Sequence, residues 1–142
     1  ELEKMLYLAR YRRVKTRTLK SVSREILDRF NGVVPSNKED LLSIKGIGPK
    51  TCNVVLGFAF NQEAIPVDSN TLRIANRMGW IDTEKPENVE KMLLSNLDDN
   101  ILRDANAVFM LHGKNICVPS SPYCTKCPVN NYCMRIGVVK SR

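Results

Sequence analysis

Four cysteines crowd one C-terminal stretch, Cys117, Cys124, Cys127 and Cys133, in the spacing C-x6-C-x2-C-x5-C. A chain with this quartet must gather four soft sulfurs or leave four thiols idle. Thiolates on short loops can close around one centre, each supplying a negative soft ligand at a corner. Two products are chemically open: a structural zinc, or an iron–sulfur cluster with one cysteine per iron. Structural zinc usually gathers two close pairs of ligands separated by a longer stretch. Here a single close pair, Cys124 and Cys127, sits in a compact span, which favours the cluster. Lys114, Lys126 and Arg135 flank the loops and can offset thiolate charge or meet phosphate. The fifth cysteine, Cys52, lies in an apolar run and reads as a small packed hydrophobe. An odd count with one tight quartet is unlike a secreted disulfide framework and points to a reducing compartment, the cytoplasm.

The 142 residues amount to about one domain's worth of chain, which is usually roughly 100–200 residues. With 43% hydrophobic and 26% charged residues, wholesale disorder is excluded. No apolar run approaches the roughly 18 residues of a membrane span, and no signal-peptide pattern opens the chain, so no membrane partner is expected. A formal net charge of +7 attracts polyanions, nucleic acid first among them.

Apolar spacing predicts helices throughout and no strand, an all-α class. Leu2, Met5, Leu6 and Ala9 mark a helix over 1–9, followed by a basic loop over 10–16. Leu19, Val22, Ile26, Leu27 and Phe30 mark a second helix, which Asn31-Gly32 can end. Ser36 with Glu39 forms a capping box for a short helix reaching about Ile44. The apolar run from Thr51 to Phe60, led by Pro49, predicts a buried helix. Asp68 can cap a helix stopped by Gly79, Pro86 opens another, and a last one runs from about Asp99 to Gly113.

Between two of these helices stands Lys45-Gly46-Ile47-Gly48-Pro49-Lys50. Glycines at both ends let the backbone turn sharply and approach a ligand closely. The second helix points its positive dipole end and first N–H groups outward, which suits a phosphate. Lys45, Gly46, Ile47 and Gly48, with Lys50 beside them, thus read either as a sequence-independent clamp on a DNA backbone or as an ordinary interhelical turn.

GIGPKT at 46–51, Val67-Asp68, LHG at 111–113 and the cysteine spacing together resemble the helix-hairpin-helix–GPD superfamily of DNA glycosylases. The endonuclease III branch, with its four-iron four-sulfur cluster, matches best. The resemblance runs over essentially the whole chain, including Phe30-Asn31-Gly32 and Val34-Pro35. It implies a partial helical barrel carrying the hairpin over 1–62, and a helical iron–sulfur domain over 63–142 with a catalytic aspartate near its start. Lys45 stands where the family often has Pro, and Pro49 where a basic residue is common.

Lys50 and Asp68 occupy the family's catalytic positions. Breaking an N-glycosidic bond develops positive charge at C1′ of the sugar, which a carboxylate stabilises while an amine attacks. The amine must be unprotonated, against a lysine reference of about 10.4, and a helix N-terminus disfavours an ammonium. The resemblance therefore implies a bifunctional glycosylase and AP lyase acting on oxidised pyrimidines in duplex DNA. Lys50 would be the Schiff-base nucleophile and Asp68 the carboxylate, although Asp68 also suits an ordinary helix cap. The adenine-mismatch branch typically has Ser at the lysine position and the thymine-mismatch branch Tyr.

To reach a stacked base the enzyme must extrude it and fill the gap. The family places a wedge residue where Arg10-Tyr11-Arg12-Arg13 lies, making Tyr11 the candidate, with Arg12, Arg13 and Lys15 as phosphate contacts. Tyr11 can equally be packed at the loop base. His112 and Trp80 are assigned no chemistry.

Family members carry further barrel helices, much of the lesion pocket and a polar wedge residue ahead of the segment seen here. The expected partners are therefore damaged or abasic duplex DNA, together with a second chain completing the barrel or another copy of this one. An exposed apolar groove and weak or absent glycosylase activity are expected of the chain alone. Two rivals stand: a non-catalytic, cluster-bearing DNA-binding module, and a zinc-stabilised helical interaction domain.

Overall fold

The computed structural model describes the backbone of residues 1–142 and all side chains except those of residues 99 and 103. Its helices are α1 (Leu2–Met5), α2 (Arg12–Phe30), α3 (Lys38–Ser43), α4 (Pro49–Phe60), α5 (Ser69–Met78), α6 (Pro86–Asn96) and α7 (Asp99–Asn115). Short 3-10 turns follow at Cys124–Lys126 and Asn130–Tyr132, and no strand occurs among the described residues. The all-α expectation holds. Two compact units form, Glu1–Cys52 and Asn53–Arg142; the division falls inside α4, whereas the sequence put a boundary at 62.

In the first unit the helix expected over 1–9 shrinks to α1, four residues long. Met5, Tyr7 and Leu8 are exposed, so no burial carries this stretch past its costly first turn. The loop expected over 10–16 is instead mostly helix, because α2 begins at Arg12. Its entry gave no sequence signal: Tyr11 caps it in the left-handed region at φ 59°, without a side-chain cap bond. Arg12, Arg13 and Lys15 are good helix formers, and Thr16 Oγ1 donates to Arg12 O at 2.9 Å. The exit is as expected, through Asn31 at φ 53° and Gly32 at φ 80°.

The cap of α3 lies one residue beyond the expected Ser36. Asn37 Oδ1 accepts from Asp40 N at 2.8 Å while Asn37 Nδ2 donates to Asp40 Oδ2 at 2.7 Å. Asn caps as well as Ser, and here the Asp40 carboxylate, rather than Glu39, bonds back to the cap through the Asn37 side-chain amide. The hairpin then turns at Gly46, φ +104°, where an added Cβ would lie 2.8 Å from Thr18 Cγ2 of α2. Glu25 of α2 holds the turn from below, accepting from Lys45 N at 3.2 Å. Arg29 joins Glu25 at 2.9 Å and donates to Ser43 Oγ at 2.8 Å.

The helix expected to be buried, α4, is buried on one side only. Cys52, Asn53 and Leu56 are inside, while Val54 and Phe58 are 37% and 74% exposed. Their i, i+4 spacing makes one uncovered stripe on a helix whose sequence is apolar all round.

In the second unit, α5 packs on α6 and α7 around Ile65, Val67, Ala75, Val89 and Leu93, with Leu72, Met92, Leu102 and Phe109 against them. Val89 and Leu93, 0% and 2% exposed, each contribute about 1.5–3 kcal/mol of apolar burial. Gly79 ends α5 at φ 80°, with Met134 Sδ over the place a side chain would take. Trp80 meets Phe109 edge-on, ring centroids 6.1 Å apart. The last helix, α7, continues past the expected Gly113 to Asn115.

Replacing Gly46 by Ala should destabilise the first unit by about 1–3 kcal/mol, through the positive φ and the Thr18 methyl together. Chemical denaturation of G46A and of G46A with Thr18→Ser should place the double variant between G46A and wild type. Equal stability of G46A and wild type would contradict the tight-approach account.

Candidate functional site: the hairpin and the four-cysteine recess

In the first unit Gly48 leads into α4, and Cys52 N closes the first turn on Gly48 O at 2.9 Å. The preceding N–H groups of a helix have no partner within it and face outward. An added Cβ on Gly48 would have nothing within 4 Å, so a ligand can approach the backbone there. Lys45 and Lys50 are exposed on either side of that opening. The Lys45 N–H is occupied by Glu25, so this residue can meet a phosphate only through its side chain. The buttress of Glu25 and Arg29 was not singled out in the sequence; their i, i+4 opposite charges were the available signal.

Tyr11, Arg12 and Arg13 line a shallow, open recess with Tyr7, Ala9 and Val14. Tyr11 is 67% exposed, with the Arg10 guanidinium over its ring at 5.1 Å. The ring therefore stands on the surface rather than packed at a loop base. Arg12 and Arg13 both approach Glu3, at 3.5 and 3.3 Å, weak exposed pairs that a phosphate could displace.

In the second unit Asp68 is half-buried and caps α5. Its Oδ1 accepts from Asn70 N and Thr71 N, both at 2.9 Å, and from Thr71 Oγ1 at 3.2 Å. Its Oδ2 accepts from Asn70 Nδ2 at 3.1 Å. Hydrogen bonds of this kind favour the ionised carboxylate.

All four quartet cysteines line one recess, and none of them is in a disulfide. Ile74, Arg77, Met78, His112 and Arg135 share it. Among the described residues no group of three or more His, Cys, Asp or Glu side chains is gathered as a single-ion site. Arg77 grips the first loop, donating to Cys117 Sγ at 3.4 Å, Val118 O at 2.8 Å and Pro119 O at 2.7 Å. Cys133 Sγ donates to Arg77 O at 3.4 Å and accepts from Arg135 N at 3.4 Å. His112 Nε2 lies 3.7 Å from Cys127 Sγ. Burial pushes His112 below its ordinary value and so favours the neutral ring. Burial, with smaller contributions from the other three thiolates, pushes the Cys127 thiol up. The donor set fits an iron–sulfur cluster: four soft sulfurs on one recess, with guanidinium and N–H groups to offset their charge.

Sequence reasoning missed Asn70, Arg73 and Arg77, and it assigned no chemistry to His112, which the structure places beside Cys127. Arg73 Nε donates to Cys117 O at 3.0 Å across 44 residues of sequence, a contact no local pattern announces. Burial lowers its pKa, with Cys117 opposing that shift. Lys114 is exposed, Lys126 lies 6.0 Å from the Tyr123 ring, and Arg135 Nη2 donates to Asn130 Oδ1 at 2.6 Å.

Residues 1–98 match the family described as HhH-GPD superfamily base excision DNA repair protein, and the chain belongs to that family. Within it the similarity runs to endonuclease III. The Thermotoga maritima protein named endonuclease III is 36% identical over 121 residues, covering 85% of this chain and 57% of the relative. Its namesake in Buchnera aphidicola is 38% identical over 108 residues, covering 76% and 50%. The chain thus spans about half the length of these relatives. A solved structure of a trapped endonuclease III–DNA covalent intermediate aligns with TM-score 0.80 at 29% identity, over 94% of this chain and 63% of that one. A thermostable thymine-DNA glycosylase aligns at 0.74 and 26%, over 93% and 63%.

The raised Cys127 pKa predicts that, in metal-free protein, its alkylation by iodoacetamide has its pH midpoint above that of the unfolded chain. The thiolate is the nucleophile, so reaction is suppressed between the unfolded and folded pKa values. That same shift stabilises the metal-free fold below the unfolded pKa and is lost as pH rises through the folded one. Mass-spectrometric pH profiles giving Cys127 an unshifted or lower midpoint would contradict the assignment.

Proposed function

We propose that the chain is part of a base-excision DNA glycosylase with associated AP-lyase activity on oxidised pyrimidines in duplex DNA. Lys50 is its nucleophile and Asp68 its carboxylate. What carries this reading is Lys50 exposed in the first turn of α4, directly behind a hairpin whose backbone is open to a ligand. The trapped covalent intermediate named for the structural neighbour supports a protein–DNA bond in that relative.

In the proposed reaction the Lys50 amine attacks C1′ as the base departs with a proton. The Asp68 carboxylate stabilises the positive charge growing on the sugar. The C1′–O4′ bond then breaks, the ring oxygen taking up the proton that Nζ gives up, and an imine is left between Nζ and C1′. On a pre-existing abasic aldehyde the same imine forms with loss of water. Removal of a C2′ proton then expels the 3′ phosphate by β-elimination, and hydrolysis of the imine returns the amine. Lys45, Gly46, Ile47 and Gly48 hold the phosphate backbone, and Tyr11, Arg12 and Arg13 face the duplex, with Tyr11 as wedge. Cys117, Cys124, Cys127 and Cys133 hold a 4Fe-4S cluster that cross-links loops with little regular structure of their own. This assigns about four iron atoms per chain.

Borohydride trapping on an abasic-site duplex tests the chemistry. Lys50→Gln should abolish the adduct, and Asp68→Asn should slow its formation by about 10²-fold or more. Undiminished trapping by K50Q would remove the lysine from its role. A protein that shifts DNA without ever crosslinking would be the non-catalytic module instead.

Met5, Leu8, Val14 and Leu27 are 74%, 84%, 60% and 63% exposed, so the first unit leaves large apolar side chains open to water that a second copy could cover. Sedimentation should find self-association that Leu8→Lys with Val14→Lys weakens, and weak or no glycosylase turnover by the chain alone. A monomer with full turnover would contradict both expectations.

A further inference from the structure

Capping α5 requires only that Asp68 accept from backbone N–H groups. The structure does more. Asp68 Oδ2 accepts from Asn70 Nδ2 at 3.1 Å, and Asn70 Oδ1 accepts from Arg73 Nη2 at 2.9 Å. That nitrogen shares its two hydrogens among Asn70 Oδ1, Gly113 O at 2.9 Å and Cys117 O at 2.8 Å, while Nε donates to Cys117 O at 3.0 Å. A guanidinium only donates, so it fixes Asn70 with its oxygen towards Arg73 and its amide hydrogens towards Asp68. An unbroken line of hydrogen bonds therefore joins the carboxylate to the backbone of the first quartet cysteine.

Gly113 seats the line. A Cβ there would stand 2.5 Å from Asn70 Cβ and 2.9 Å from Asn70 Oδ1, so any larger residue would push Asn70 aside. Such close approach to a side chain goes beyond what a helix turn needs. It places the α7 backbone against a side chain that binds Asp68 Oδ2.

We propose that Asn70 and Arg73, seated on Gly113, form a positioning strut that orients the Asp68 carboxylate according to where the Cys117 loop stands. The quartet then does more than hold its own loops: its occupancy sets the direction of the anion presented to the sugar. This inference rests on the reading of Asp68 as the carboxylate that stabilises positive charge at C1′.

The test measures the affinity of the full chain, loaded with iron, for duplexes carrying a neutral tetrahydrofuran or a cationic pyrrolidine abasic analogue. The ratio of the two affinities reports the carboxylate facing the cation, without turnover. Asp68→Asn should abolish the preference for the cation. Asn70→Ala and Arg73→Gln should lower it by about tenfold with neutral-analogue affinity unchanged, and Arg73→Lys should keep part of it. Stripping iron from wild type should lower the preference, and stripping it from Arg73→Gln should change it no further. A wild type without preference, or Asp68→Asn retaining it, overturns the Asp68 reading and the strut with it. If Asp68→Asn loses the preference but the strut variants keep it, the strut alone is overturned. Should Asn70→Ala or Arg73→Gln lose neutral-analogue binding through misfolding, the iron-stripped wild type decides, and an unchanged preference there overturns the strut.

Discussion

The grip of α5 on the Cys117 loop is the constraint from which the second unit takes its form. Residues beyond α7 have only two short 3-10 turns and little apolar burial, so they cannot hold a shape by themselves. Arg73 and Arg77, one turn apart on α5, hold the Cys117, Val118 and Pro119 carbonyls. Leaving those carbonyls or the guanidinium of the half-buried Arg73 unpaired would cost more than an ordinary hydrogen bond. The same helix begins at Asp68 and ends at Gly79 beneath Met134. One rigid element thus carries the carboxylate at its start and holds the cysteine loops along its length.

The first unit solves a different problem with a similar economy. Its hairpin leaves backbone open at Gly48, and α2 supports the turn from the other side. Glu25 holds the Lys45 N–H, Arg29 ties Glu25 to Ser43, and Thr18 fills the space that a side chain at Gly46 would need. The turn is held from one side and open on the other, which suits the sequence-independent contact proposed for it. Lys50 follows it in the first turn of α4.

Much of this was legible in the sequence where a signal is local. Gly79 and Asp68 bound α5, Pro86 opens α6, and the cysteine spacing marks the recess, because each is a short-range pattern with one physical meaning. Local reasoning failed where tertiary contacts decide. The start of α2 depends on a left-handed Tyr11 that carries no cap signal, and the Ser36 cap gave way to an equally good one at Asn37. The exposed flank of α4 could not be read because a helix apolar all round does not say which side is covered. Arg73 was silent, and the place of His112 beside Cys127 could not be read, because their partners lie far along the chain or across a loop.

Iron-edge anomalous diffraction from crystals of the chain purified without air would test the account at its centre. It predicts a compact iron peak bonded to Cys117, Cys124, Cys127 and Cys133, with Arg73 still bonded to the Cys117 carbonyl and to Asn70. A single zinc peak, or iron bound with Arg73 turned away from both partners, would contradict it.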